Sequence, residues 1–341
     1  MNIQTNHRSA FRFKTPIKIV ACACAGGRKE KEGPLGSKLD LYMPDDTANH
    51  ETWEKDESEM VTGTFTKLLS KADVSDKEVD VLFGGDLMNQ CTAAAYGLSG
   101  FDIPYFGLYG ACSTFAEGLI LASSLIDAGV VQNAAVCVSS HFCTAERQYR
   151  FPLDYGAFPP PAAQNTVTGC GAVLLSKASS DESGVFITEA LPGIVIDRGI
   201  KDAGNMGAAM ATSAADTILR YLEGSKYNLS DFDIMATGDL GKTGHKMLCD
   251  MLKQKGVSNE SGVLCDCGCM IYDVENQSVG QGGSGCGCSA VVTSAKIIPE
   301  LEEGKIKKAA VIGTGAMMSP QSLLQGLSIP AVAHLAVFER R

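Results

Sequence analysis

The chain has 341 residues, 45% of them hydrophobic and 20% charged, with a net charge of −10. It is long enough for two core-forming units, too acidic for a nucleic-acid partner, and without an apolar run of membrane-spanning length or a signal-peptide pattern. Thirteen cysteines, an odd number scattered along the sequence, indicate reduced thiols rather than a secreted disulfide framework.

In chain order, residues 17–25, IKIVACACA, predict a buried strand. The segment 26–36, GGRKEKEGPLG, reads as an ordered, charged turn. A helix is expected over 53–69, with acidic residues in its first turn where the helix dipole favours them. DVLFGGDL at 80–87 is a strand followed by a turn, and 88–98 a short helix. Residues 103–106 form a short strand leading into 107–129, GLYGACSTFAEGLILASSLIDAG. That stretch opens on a small-residue turn. It continues with Phe115, Leu119, Ala122, Leu125 and Ile126 at helical spacing. Ser113 or Thr114 can cap this helix, and Gly129 suits its exit. Cys112 then sits at a helix N-terminus, where free N–H groups and the dipole favour a thiolate and bind anions. The alternative is a small buried thiol in a strand–helix junction. A strand follows at 133–141. A long segment at 142–167 carries charges, aromatics and the Pro159-Pro160-Pro161 run, and another strand spans 170–176.

Four segments recur in the same order. DIMATGDL at 233–240 matches DVLFGGDL, and GCGCS at 285–289 matches GACST. KAAVIGTG at 308–315 matches NAAVCVSS, and HLAVFER at 334–340 matches CGAVLLS. The pattern indicates a duplicated α/β unit, with halves at 1–181 and 182–341. Alternating strands and helices imply central sheets with helices between and outside them. Extra length lies between residues 141 and 170 of the first half and between 240 and 282 of the second. Inserted loops of this kind tend to carry binding specificity.

A cysteine in a GACST turn opening a buried helix resembles the nucleophile of the thiolase superfamily, which includes ketoacyl synthases. The resemblance implies a layered αβαβα fold of two halves, and it implies partner residues in the second half. Where the superfamily places a histidine, this chain has Thr237-Gly238-Asp239. Where it places an asparagine or histidine in a glycine-rich turn, this chain has 282–285, GGSG. Where thiolases place a second cysteine, it has Gly313-Thr314-Gly315. His245 falls a few residues late and needs a displaced loop to substitute. A nucleophile without partners suggests a scaffold kept for binding.

The motifs KEKEGPLG, GDLMNQ, SSHFCTAERQYRFP, TVTGCGAV, GGSGCGCSAVV and AHLAVFER closely resemble the stage V sporulation protein AD family of spore-forming Firmicutes. That resemblance implies a non-catalytic protein that binds dipicolinic acid, pyridine-2,6-dicarboxylate. It also implies membership of the machinery that moves calcium dipicolinate into the spore. Partner proteins of that complex would hold the chain on the cytoplasmic side of the spore inner membrane. The superfamily commonly dimerises through the first half, so a homodimer is expected. No cofactor is implied. The competing expectation is an acyltransferase of the ketoacyl synthase kind using Cys112.

A small dianion needs donors or cations at both ends and a flat slot between them. The expected floor is Cys112 with Gly283 and Ser284. Arg147 and Arg150 are placed to clamp carboxylates, with Tyr149 and Phe151 as walls. Alternatively, both arginines pair with Glu146 or Asp154. His141 follows a strand end and is either a site residue or a buried structural histidine. Asp86 and Asn89 occupy the GDLMNQ turn, where Asp86 either holds the turn or meets calcium. Cys265, Cys267 and Cys269 would share a face on a strand, which permits metal ligation. The preferred reading is buried thiols ahead of a strand MIYDV, with no metal.

Overall fold

The computed structural model describes residues 10–44, 52–149 and 159–341. Its centre is β1 (Phe11–Gly26), whose Ala21, Cys22, Ala23, Cys24 and Ala25 are buried in succession. A strand covered on both faces needs small apolar residues at every position rather than at alternate ones. β1 pairs antiparallel with β8 (Val185–Leu191), and the register breaks between Arg12 and Ile17.

Outward from β1 the order is β7 (Gly169–Lys177), β5 (Asn133–Ser140), β3 (Val81–Gly85) and β4 (Tyr105–Gly107). Outward from β8 it is β13 (Ala331–Arg340), β12 (Lys308–Ala316), β9 (Ile234–Thr237) and β10 (Leu264–Asp266). On each side the first two pairings are antiparallel and the next two parallel. DVLFGGDL and DIMATGDL therefore lie on strands at matching places, β3 and β9.

Two helices fill the space between these strand groups. α4 (Thr114–Asp127) packs on β1, β3 and β5 and also on β12 and β13. α9 (Cys286–Val292) packs on β5 and β7 and on β12. Phe115, Leu119, Ala122 and Ile126 are fully buried, as the helical spacing requires, and Gly129 leaves the helix at φ +72°. Outside lie α2 (Trp53–Ala72) and α3 (Thr92–Leu98) on one face. On the other lie α6 (Met206–Gly224) and α7 (Gly241–Gln254). The fold is the expected α/β class, but the strands are joined through β1 and β8 into one large sheet, with α4 and α9 between its two strand groups and the other helices outside. The largest apolar cluster joins α4, α9 and strands of both groups, so the middle layer forms a shared core. About 25 cal/mol per Å² of apolar surface buried makes that layer the main source of cohesion.

Three local expectations need correction. The turn at 26–36 contains a short helix, α1 (Arg28–Glu32). Its Glu30 is buried and accepts from the Tyr272 hydroxyl and from the Thr168 N–H at 3.1 Å. Burial pushes Glu30 up to about 7. Residues 142–149 of the long segment form a helix, α5 (Phe142–Tyr149), which starts directly at the end of β5. Finally, MIYDV is not a strand. Asp266 ends β10 and caps α8 (Cys267–Ile271) by accepting from Cys269 N–H at 3.2 Å, so the cysteine run turns from strand to helix and shares no single face.

Candidate functional site

The site is built where β3, β9, β12 and the turn before α4 come together. Asp86, at the end of β3, is fully buried. Its Oδ1 accepts from Met88 N–H at 2.7 Å and its Oδ2 from Ala94 N–H at 2.8 Å. Both oxygens hold the turn, leaving Asp86 as scaffold rather than a calcium ligand. Burial pushes its carboxyl up to about 6. The nearby Glu57 rises to about 8, through burial first and the Asp86 charge second. Asn89 accepts from the Tyr109 hydroxyl at 3.0 Å and from Gln148 Nε2 at 3.3 Å. His141 is buried, and its Nδ1 accepts from the Cys143 N–H at 3.2 Å.

Arg147 does not serve as the expected clamp. It pairs with Glu54 of α2, and its guanidinium lies 5.1 Å from the Trp53 ring centre. A helix in place of a loop sets this direction, because α5 points position 147 at α2. Arg150, Phe151 and Asp154 lie outside the described residues.

Cys112 and Ser284 do meet, on the wall of a cavity of about 340 Å³. The remaining wall is mostly apolar, with Leu87, Tyr149, Pro160, Met206 and Met318 prominent. Gly283 supports Ser284 from β11 (Gly283–Ser284), which pairs in parallel with β6 (Asn165–Thr166). Glu146, Gln164 and Thr166 also line the cavity. Among the described lining residues there is an acid but no cation.

Behind Cys112 the three segments in which the resemblance implies partner residues converge on Asp239. This fully buried carboxylate accepts from Gly285 N–H at 2.9 Å and Ser284 Oγ at 3.2 Å through Oδ2. Its Oδ1 accepts from Thr314 Oγ1 at 2.8 Å. Burial pushes Asp239 up to about 6 against these bonds. β12 reaches the cluster only because Gly315 has no side chain. A Cβ there would lie 2.6 Å from the Gly110 carbonyl oxygen. Ala111 holds φ +52°, a left-handed conformation costly for a residue with a Cβ, so the packing around it holds the Cys112 turn in place.

The geometry works against the expected thiolate. Cys112 lies in a 3-10 turn (Ala111–Ser113) ahead of α4. The hydroxyls of Ser113 and Thr114 donate to the carbonyls of Gly110 and Ala111, and Thr114 Oγ1 accepts from the Gly110 N–H at 3.1 Å, so neither caps the first N–H groups of α4. Burial first, and the Asp239 charge second, drive the thiol well above its ordinary value, overriding the dipole. His245 is no substitute. It lies on α7 with Nε2 3.6 Å from Cys249 Sγ, outside the cavity lining. The sequence offered no signal for Gln164, Met206 or Met318, which reach the wall from separate elements.

Replacing Asp239 with Asn removes the charge and lowers the thiol pKa. Iodoacetamide labelling followed by peptide mass spectrometry is therefore expected to show slow wild-type modification of Cys112 below pH 9. Asp239→Asn is expected to react about tenfold faster at pH 8, one pKa unit in thiolate fraction. Rapid wild-type labelling at pH 7 would mean that Cys112 is ionised after all.

The profile of the family "Stage V sporulation protein AD (SpoVAD)" matches residues 7–339. The stage V sporulation protein AD of Bacillus subtilis (strain 168) is 41% identical over 335 residues, 98% of this chain and 97% of that one. A crystal structure of Xanthomonas campestris OleA aligns with TM-score 0.61 and 14% identity over 96% of this chain and 99% of its own. A variant of the same protein with bound lauric acid and lauroyl-CoA aligns with TM-score 0.59 and 14% identity over 95% and 99%. At that identity the likeness establishes a thiolase-like fold. The sequence matches establish more: this chain is a member of the stage V sporulation protein AD family.

Proposed function

We propose that the chain is a non-catalytic binding protein of sporulation whose cavity at Cys112 holds dipicolinic acid. The reading extends to a role among the spore inner-membrane proteins that move calcium dipicolinate. The observation that carries it is the Asp239 cluster. Acyl transfer needs a thiolate, a base matched to it, and free donors aimed at an oxyanion. Here the thiol is raised. The neighbouring acid is a far weaker base than the thiolate it would have to generate. The Ser284 and Thr314 hydroxyls and the Gly285 N–H are already given to Asp239. What remains is a small, largely apolar chamber at the lower end of ligand-site sizes, about 300–1,000 Å³. Its apolar walls suit a flat aromatic ring. No helix among the described residues is long and apolar enough to cross a membrane, so attachment through partner proteins is the form proposed.

The apolar lining favours a second reading, an acyl chain carried on Cys112. The two separate cleanly. Calorimetry is expected to show dipicolinate binding, retained and at most modestly weakened in Cys112→Ala, and incubation with lauroyl-CoA is expected to leave the intact mass unchanged. A thioester adduct on Cys112 that turns over would replace the binding reading with the enzymatic one.

We also propose a homodimer through β4. This edge strand exposes Tyr105 and Phe106, at 38% and 55%, with Tyr109 and Tyr96 nearby at 47% and 73%. An aromatic edge strand is a liability unless a second strand covers it, and a two-fold copy does so with the same surface. Sedimentation is expected to give a dimer for the wild type at micromolar concentration and a monomer for Phe106→Asp. A wild-type monomer contradicts the assembly.

A further inference from the structure

Gln164 is the least conspicuous residue of the cavity and the most tightly specified. It is nine-tenths buried and lines the wall beside Thr166. Its Nε2 donates to the Asp239 carbonyl at 2.7 Å and to the Gly283 carbonyl at 2.8 Å. Turning the amide over would set its oxygen against two carbonyl oxygens, so the orientation is determined. The slot that holds it exists because residue 241 is glycine at φ +66°. A Cβ there would lie 3.0 Å from Gln164 Nε2 and 2.7 Å from the Gln281 carbonyl oxygen. The backbone on either side is also tied down: Asn165 N–H donates to the Gly282 carbonyl and Gln281 N–H to the Ala163 carbonyl, both at 2.9 Å.

Gln164 Oε1 is thereby left on the cavity wall as an acceptor with no partner among the described residues. Two residues on, Thr166 presents a hydroxyl that likewise has none. Positions i and i+2 of an extended segment share a face. The residue between them points away, where Asn165 accepts from Lys29 Nζ at 2.9 Å and donates to the Tyr272 hydroxyl at 3.0 Å. The cavity lining therefore includes an acceptor and a hydroxyl two residues apart on one extended segment, with the Gln164 amide fixed in orientation.

We propose that Gln164 and Thr166 form the ligand-reading edge of the cavity, and that they take a carboxyl end in its protonated form, or a primary amide, in preference to a carboxylate. The proposal rests on the dipicolinate reading above and narrows it. A carboxylate has only acceptor atoms and is repelled by Gln164 Oε1. A protonated carboxyl donates its O–H to Gln164 Oε1 while its carbonyl accepts from Thr166 Oγ1. A carboxamide offers the same pair. The surrounding groups agree. Glu146 and Tyr149 from α5 and Cys112 from the turn before α4 line the same cavity, Tyr149 and Cys112 as neutral groups, with Asp239 behind Cys112 and Asp202 beside the Ala203–Gly204 wall. Lys29 is on the far side of the strand, engaged with Asn165 and the Ser278 carbonyl. The described residues thus offer a dianion no cation on this wall, and binding dipicolinate entails the uptake of one proton.

Titration calorimetry of the full chain at pH 6 and pH 8, in two buffers of different ionisation enthalpy, tests this with dipicolinate and its monoamide, 6-carbamoylpyridine-2-carboxylate. Expected are about one proton taken up per dipicolinate and an affinity falling about 100-fold between pH 6 and 8, as single-proton linkage requires. The monoamide is expected to bind without proton uptake and more tightly than dipicolinate at pH 8. Gln164→Leu is expected to weaken the monoamide about tenfold, the equivalent of one hydrogen bond. The wild-type proton count and the monoamide comparison decide the matter even if that variant does not fold. Dipicolinate binding that is independent of pH, with the monoamide weaker, overturns the inference while leaving dipicolinate binding itself intact. Equal proton uptake with both ligands overturns it too, since the proton then goes to the protein. No binding of either ligand from pH 5 to 8 sinks both the inference and the reading on which it rests.

Discussion

The site depends on one buried carboxylate. Asp239 holds the β11 turn through Gly285 and Ser284, holds β12 through Thr314, and faces the thiol at the mouth of α4. An unpaired charge in that position would be costly, and the three donors make it tolerable. In doing so they are removed from any other use. In the non-catalytic reading proposed above, the same interaction that joins the three segments behind Cys112 withholds from that residue a base and oxyanion donors and works against its ionisation. A histidine at this position would leave the donors free and attract the proton of the thiol. An aspartate does the reverse.

Much of the architecture was legible before any coordinates. The strand in DVLFGGDL and its counterpart in DIMATGDL could be read because both are short apolar runs ending in the same turn chemistry. The helix from Thr114 could be read because Phe115, Leu119, Ala122 and Ile126 recur at its period. The superfamily resemblance pointed to the segments 237–239, 282–285 and 313–315 as the places where partners of Cys112 are expected, and these segments do meet at Asp239. Periodicity failed where polar side chains take on structural roles. RKEKE reads as part of an ordered, charged turn, yet it forms a short helix whose Glu30 is buried against Tyr272, a residue distant in sequence. Arg147 looked like a clamp because its charge was visible, while Glu54 and Trp53, which engage it, lie on a separate helix. Gln164 had no local signature at all. Its importance comes from two carbonyls and a glycine contributed by the second half of the chain.

Several carboxyls are buried in the interior: Glu30, Glu57, Asp86 and Asp239. Each is raised by burial and each is held by hydroxyl or N–H donors. Asp86 and Asp239 follow strand ends, and Glu30 and Glu57 reach Thr168 and Ser139 at strand ends from helices α1 and α2, where the chain turns and polar groups need acceptors. Of these, Asp239 stands behind the cavity wall at Ser284, while the acid on the described lining itself is Glu146. An acidic ligand of the kind proposed would meet, among the described lining residues, shape, apolar contact and a hydrogen-bond pattern but no opposing charge.

The most direct measurement is a crystal structure of the protein grown or soaked with dipicolinate. A binding cavity built around a protonated thiol is expected to show the planar ligand enclosed near Cys112, one end against Gln164 and Thr166, with no bond to Sγ. Ligand density elsewhere on the molecule with this cavity empty, or a covalent bond to Cys112 Sγ, would contradict it.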